Sequence, residues 1–266
     1  MTARYFVTDR LNSIAMRSSG GLIRMWLILS QGSSDFPSGQ IHWHARIADS
    51  VVGPDALPWT NATLVKCPRA EIKDLRIPFE AYPLSENAAV NFIRPLMLAG
   101  GLLRTFFEPG ALTLQKLREH ELAHEAPGDA AVNPTDAQIN RLLESTHAGP
   151  VWMINLLRYR QTAKYSASSR YASNPVSGKE AYLKYGRVAL RSVALLGGEA
   201  MVAGDLGQPV RNADFPQTFG EWHELAIVCY PTPQSLLKLV FMPGYTEATE
   251  HRTAALEDTR LIMTTA

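Results

Sequence analysis

The sequence predicts an α+β fold of the ferredoxin-like kind, on three observations. Between residues 134 and 266, apolar runs of strand length alternate with amphipathic stretches of helical period. Their order is β-α-β-β-α-β, that of the split β-α-β unit. Turn residues separate them, above all Gly197-Gly198 behind a long helix and Pro243-Gly244 behind a short one.

Taken in order, residues 1–20 (MTARYFVTDRLNSIAMRSSG) have weak periodicity and read as a loosely held arm. Strand-like runs follow at 22–29, 40–47 (QIHWHARI), 62–67 and 75–79 (LRIPF), punctuated by Pro, Gly and Asp. Residues 85–103 (SENAAVNFIRPLMLAGGLL) read as a helix starting at Ser85 and interrupted by Pro95 and Gly100-Gly101. A second helix is predicted over 111–124 (ALTLQKLREHELAH). The stretch 125–138 (EAPGDAAVNPTDAQ) has two prolines and few large apolar residues, which marks a boundary. Two domains are therefore expected: an amino-terminal α+β domain, 1–128, and a carboxy-terminal one, 129–266.

In the second domain Thr135 is placed to cap a helix over 134–146, with Ile139, Leu142 and Leu143 at helical spacing. Strand 150–159 (PVWMINLLRY), helix 178–198, strands 199–206 and 222–230, helix 232–242 and strand 259–265 complete it. An open sheet of this kind has one face under its helices and the other bare. A second sheet is the natural cover, from a partner subunit or from the other half of the chain.

Composition narrows the function. Apolar residues make up 46% and charged residues 19%, enough for a core and too little charge for disorder. A net charge of +1 gives no basic field to collect phosphates, so nucleic acid is not an expected partner. Cys67 and Cys229 lie far apart in strand-like runs and read as free thiols. The apolar run 22–29 is far below membrane-spanning length, and a cytoplasmic protein is expected.

Several linked stretches resemble one family: PTDAQINRLLES with GPVWMINLLRYR, then GKEAYLKYG, GEWHELAIVCYP, PGY and HRTAALEDTRLI. Residues 134–266 are similar in these, in order and spacing, to the domain of unknown function 1330 family of the dimeric α/β-barrel superfamily. The resemblance implies two ferredoxin-like sheets face to face, a homodimer or other homo-oligomer, and a small-molecule cavity. It does not imply a reaction, because the superfamily hosts many. Residues 74–95 and 224–243 also share a pattern of strand, Tyr-Pro, helix and Pro, so the amino-terminal half reads as a divergent second copy. The Ser- and Tyr-rich insertion 161–177 reads as a mobile lid over the barrel.

The residue types suited to chemistry lie in the matched half. His251 is the expected proton carrier, with Arg252 and Asn155 to hold an oxyanion. Arg158, Tyr182, Tyr185, Trp222, Glu224 and Tyr245 are the expected substrate contacts; the tyrosines read equally as aromatic caps on helices. The expected function is a cofactor-independent enzyme that moves a proton next to a carbonyl, as in isomerisation, cyclisation or decarboxylation. The alternatives are a haem-binding barrel with His251 as axial ligand and a non-catalytic binding or oligomerisation module.

Two metal-like patterns stand outside this set. HELAH (120–124) fits H-E-x-x-H, but Arg118 and Glu125 put charge where a zinc helix is buried. In HWH (42–44) alternation puts both imidazoles on one strand face, with Ile41, Trp43, Ala45 and Ile47 opposite. A solvated helix end and a half-buried strand are the expected readings, and no metal is assigned.

Overall fold

The computed structural model describes residues 17–18, 21–32, 40–87, 97, 112–122, 132–173, 175–211 and 221–265. Its strands in chain order are β1 (Arg17–Ser18), β2 (Gly21–Ser30), β3 (Ile41–Val52), β4 (Asn61–Pro68), β5 (Phe79–Glu86), β6 (Val151–Tyr159), β7 (Glu199–Leu206), β8 (Val210–Arg211), β9 (Glu224–Tyr230) and β10 (Leu256–Thr265). The helices are α1 (Arg69–Lys73), α2 (Leu114–Leu122), α3 (Asp136–Glu144), α4 (Gly178–Leu195), α5 (Pro233–Leu237), which runs on as a 3-10 turn over Lys238–Phe241, and α6 (Tyr245–Ala255).

Eight of the strands form a closed antiparallel ring in the order β2-β4-β3-β10-β6-β9-β7-β5, and β5 pairs back onto β2 from Met25↔Leu84 to Ser30↔Phe79. The fold is thus a closed eight-stranded barrel, which corrects the expected ferredoxin-like α+β fold of dimeric α/β-barrel type. The open four-stranded layer fails at both of its edges. β10 pairs with β3 between Leu261↔Val52 and Thr265↔Arg46, and β7 pairs with β5 between Leu84↔Leu206 and Glu86↔Gly204. The physical reason lies in the edges themselves: an edge strand carries a row of unpaired N–H and C=O groups, and only closure removes edges altogether. Strands from 21–86 cover the inner face of the carboxy-terminal strands, and the argument for a partner subunit on that face goes with the open sheet.

Individual elements follow local signals more closely. Thr135 caps α3 through a capping box with Gln138, and Ser177 caps α4 with Glu180. α4 stops at Gly197, whose φ of 77° suits glycine. The expected strand 75–79 and the helix start at Ser85 are corrected: the strand is β5, Phe79–Glu86, and contains Pro83. A proline argues against a strand because it cannot donate to the ladder. The Pro83 carbonyl still accepts from the Gly207 N–H at 2.9 Å. The arm 1–16, most of the predicted helix 85–103 and the boundary stretch 125–131 lie outside the described residues.

The pleat sorts side chains into two cores. Leu29, Leu64, Ile154, Leu156, Ile227 and Ile262 fill the inside of the ring. Met153, Val228, Leu261 and Met263 face outward, under Ile139 of α3, Tyr185 and Val193 of α4 and Tyr245 of α6. Arg141 of α3 ties this outer layer to the β3–β4 turn, reaching Asp49 at 3.0 Å and Asp55 at 2.9 Å. Among the described residues no helix is long and apolar enough to cross a membrane.

Candidate functional site

The segment between β6 and α4 builds one wall of a recess on the outer layer. It folds back on itself through the Ala163 N–H to Val176 carbonyl bond, 2.8 Å, and docks on α6 through Lys164 N–H to the Ala254 carbonyl, 2.8 Å. Gly178 closes the segment where two backbones pass. A Cβ there would lie 2.4 Å from the Arg160 carbonyl oxygen and 2.6 Å from that of Ala255. The segment therefore lies against α6 rather than over the barrel mouth. Between it, α4 and α6 opens a cleft of about 650 Å³.

His251 stands in the wall of this cleft, 9% exposed. Its Nδ1 lies 2.8 Å from the Tyr165 hydroxyl, and the Tyr171 ring packs on it at 4.6 Å between centroids. Burial, and then the nearby Lys184, push the His251 pKa below the ordinary histidine value. Burial, then Glu250, raises that of Tyr165. The two shifts act together: near neutral pH the phenol keeps its proton and the imidazole is neutral, and the imidazole tautomer sets which of the two donates. Lys184 Nζ and the Arg170 guanidinium sit over the Tyr171 ring at 5.2 and 4.9 Å. Serines 166, 168 and 169 and Thr246 make much of the remaining wall polar.

The other expected site residues go elsewhere. Tyr182, Tyr185 and Tyr245 form a ladder with Tyr159 between sheet and helices, at centroid spacings of 5.4, 5.3 and 5.8 Å. The Tyr185 and Tyr245 hydroxyls bond each other at 2.8 Å. Burial raises the pKa values of Tyr182 and Tyr245, so both stay protonated. Arg252 donates to the Asn133 side-chain oxygen at 3.0 Å. Asn155 donates to the Ala226 carbonyl at 3.3 Å, a cross-strand bond on the helix side of β6. Glu224 accepts from the Tyr159 hydroxyl at 3.1 Å and lies 3.6 Å from Lys179. Arg158 and Trp222 belong to the inside of the ring. Of the nine residues, only His251 is in the cleft wall.

Tyr165, Tyr171, Arg170 and Lys184 are the site residues that sequence reasoning did not single out. The tyrosines of a Ser-rich insertion were the available signal. His44 stands on the outer side of β3, its Nδ1 paired with the Thr63 hydroxyl at 2.8 Å, and a bulge between Ile41 and Trp43 breaks the alternation that would put His42 on the same face. The side chains of HELAH lie outside the described residues; Arg118, just before it, pairs with Asp136.

Fold and cleft together define a closed antiparallel barrel with a polar recess, sized for a small molecule, on its outer helical layer. No family model matches the chain, and no curated protein does. Among solved structures it is similar to the RPA0582 protein of unknown function from Rhodopseudomonas palustris, at 31% identity and a TM-score of 0.42. That likeness covers 50% of this chain and 93% of the other. The methylated RPA0582 protein gives 31% identity and a TM-score of 0.43, over 50% and 91%.

Proposed function

We propose that the chain is a cofactor-independent enzyme that binds a small oxygenated anion in the cleft and moves a proton next to its carbonyl. The observation that carries this reading is His251, bonded to Tyr165 at 2.8 Å and standing in the wall of a cleft of about 650 Å³. In the proposed step His251, its Nδ1 held by the Tyr165 hydroxyl, takes on Nε2 the proton from the carbon beside the carbonyl. Lys184 and Arg170, the cations beside Tyr171, hold the enolate oxygen, the role first expected of Arg252 and Asn155. Isomerisation and cyclisation share this step, and decarboxylation uses its reverse, proton delivery to the enolate left when CO₂ departs. The kinship of residues 134–266 with the domain of unknown function 1330 family belongs to the same proposal.

The haem alternative finds less support in the donor set. His251 Nδ1 is held by a phenol, and serines with charged side chains line a space where a porphyrin needs apolar plates.

Solvent exchange tests the proposal. The full chain is mixed in D₂O with a panel of enolisable 2-oxo and 3-oxo acids, and loss of the proton beside the carbonyl is followed by NMR. At least one acid should exchange about 10²–10⁴ times faster with the native chain than with His251→Gln or Tyr165→Phe. Equal rates in all three proteins, or no exchange above the buffer rate, would sink it.

A further inference from the structure

The inside of the ring ends in a second set of polar side chains, unrelated to the cleft. Directly opposed residues of paired strands share a face. Arg260 opposes Leu156, and Asp258 opposes Arg158. Leu156 is part of the inner core, so Arg260, Arg158 and Asp258 point into the barrel. Trp222, 3% exposed, belongs to the same core, with the Arg260 guanidinium 5.3 Å from its ring centroid. Gly53, at φ 110°, leaves room for the Arg260 stem; a Cβ there would fall 2.5 Å from its Cδ.

The hydrogen bonds of this set do not close. Arg260 pairs with Asp258 and donates through Nη1 to the Thr259 carbonyl at 2.8 Å. Arg158 lies 4.0 Å from Asp258, and its Nε is 3.4 Å from Glu257, without the alignment of a hydrogen bond. Three buried N–H groups are left with no acceptor: Trp222 Nε1, Arg260 Nε and Arg158 Nε. Buried donors are rarely orphaned, because each then gives up water without gaining a partner. Every vacancy here is a donor. Asp258 and Glu257 already answer the charge of the two guanidinium groups, so it is the unmet N–H groups that what completes the set must satisfy, with acceptor oxygens.

We infer that the Arg158–Asp258 end of the barrel interior binds the oxyanion group of a small ligand, a carboxylate or a phosphate. The indole N–H of Trp222 and the Nε–H groups of Arg260 and Arg158 are its donors. Trp222 reports on the site because its ring nitrogen is one of them. The inference is independent of the His251 cleft, which lies on the outer layer.

The chain has five tryptophans, so the indole region of a ¹H–¹⁵N spectrum is small enough to follow. Trp222→Phe assigns the Trp222 signal, and its nuclear Overhauser contacts to the Arg260 protons assign it a second time should that variant not fold. Sodium acetate, inorganic phosphate and, at matched ionic strength, sodium chloride are titrated into the labelled full chain. The Trp222 signal should shift saturably with acetate or phosphate and not with chloride, and which of the two acts names the source of the oxyanion. Arg260→Lys, which removes the Nε–H, should weaken that response about tenfold or more, with the other indole signals unmoved. His251→Gln should leave it unchanged, so failure here and failure of the proton-transfer reading are told apart. A Trp222 signal that ignores both anions, follows chloride equally or is indifferent to Arg260→Lys would overturn the inference.

Discussion

Two faces of one strand carry two kinds of chemistry. Along β6, Met153, Asn155, Leu157 and Tyr159 look out toward the helices, whereas Trp152, Ile154, Leu156 and Arg158 look into the ring. The outward face meets hydroxyls: the tyrosine ladder, and beyond it the Tyr165–His251 pair. The inward face meets hydrocarbon for most of its length and guanidinium groups at its end. A one-residue step in sequence, Arg158 to Tyr159, thus separates a set of unmet donors from a set of satisfied phenols. The difference teaches that a closed ring can hold two chemical environments on the same strands, because the pleat isolates them.

The comparison breaks most visibly on the inner side. Leu156 is fully buried in the inner core. Leu156→Ala should cost about 2–5 kcal/mol, the range for a buried leucine whose surroundings cannot collapse, measured by denaturant unfolding. Leu183→Ala on the outside of α4, where the side chain is 55% exposed, should stay within about 0.5 kcal/mol. A small effect for Leu156 would mean that the ring interior is not the packed core it is taken for.

The outer face is probed by one hydroxyl. Tyr185→Phe leaves the Tyr245 hydroxyl buried with its 2.8 Å partner gone, and should cost about 1–3 kcal/mol. The double variant with Tyr245→Phe should recover part of the loss, because both polar ends are then removed. A cycle of the two single variants and the double one reads the coupling directly; additive costs would show that the hydroxyls do not depend on each other.

What was legible in the sequence follows from how local each signal is. Thr135 and Ser177 act on the three residues after them, and α3 and α4 begin where those caps put them. β6 and β9 are apolar runs that carry their own mark. Ring closure has no such mark: Arg46 finds Thr265, and Phe79 finds Ser30, through backbone groups that every residue has. Pro83 hid β5 by breaking a rule that holds for the donor side of a ladder. In the cleft, His251 stood out as the chain's candidate proton carrier, but Tyr165 is 86 residues away from it, and nothing in a Ser-rich insertion says which tyrosine will turn inward. Glu80 was equally hidden, since an acid in an alternating strand reads as a solvent-facing residue. It opposes Leu29, is fully buried and bonds the Tyr82 hydroxyl at 2.7 Å.

Acid and base stability sharpen the comparison in the subtlest way, because the two faces slope in opposite directions. His251, outside, has its folded pKa pushed below 6.5, first by burial and then by Lys184, with Glu250 opposing and Arg170 adding. The folded chain then binds fewer protons than the unfolded one, so the contribution of His251 is whole above pH 6.5 and is lost as pH falls through the lowered value. His42 and His44 are lowered too, chiefly by burial, and slope the same way. Glu80, inside, has its folded pKa raised from 4.5, chiefly by burial, against the pull of Tyr82 and Arg211. Its contribution is whole below pH 4.5 and is lost as pH rises through the raised value. Unfolding free energy measured from pH 4 to 8 should therefore fall less steeply below pH 6.5 in His251→Gln, and fall less above pH 4.5 in Glu80→Gln. Were the two substitutions to flatten the same side of the profile, the assignment of a neutral imidazole to the outer face and a reluctant carboxyl to the inner one would be wrong for one of them.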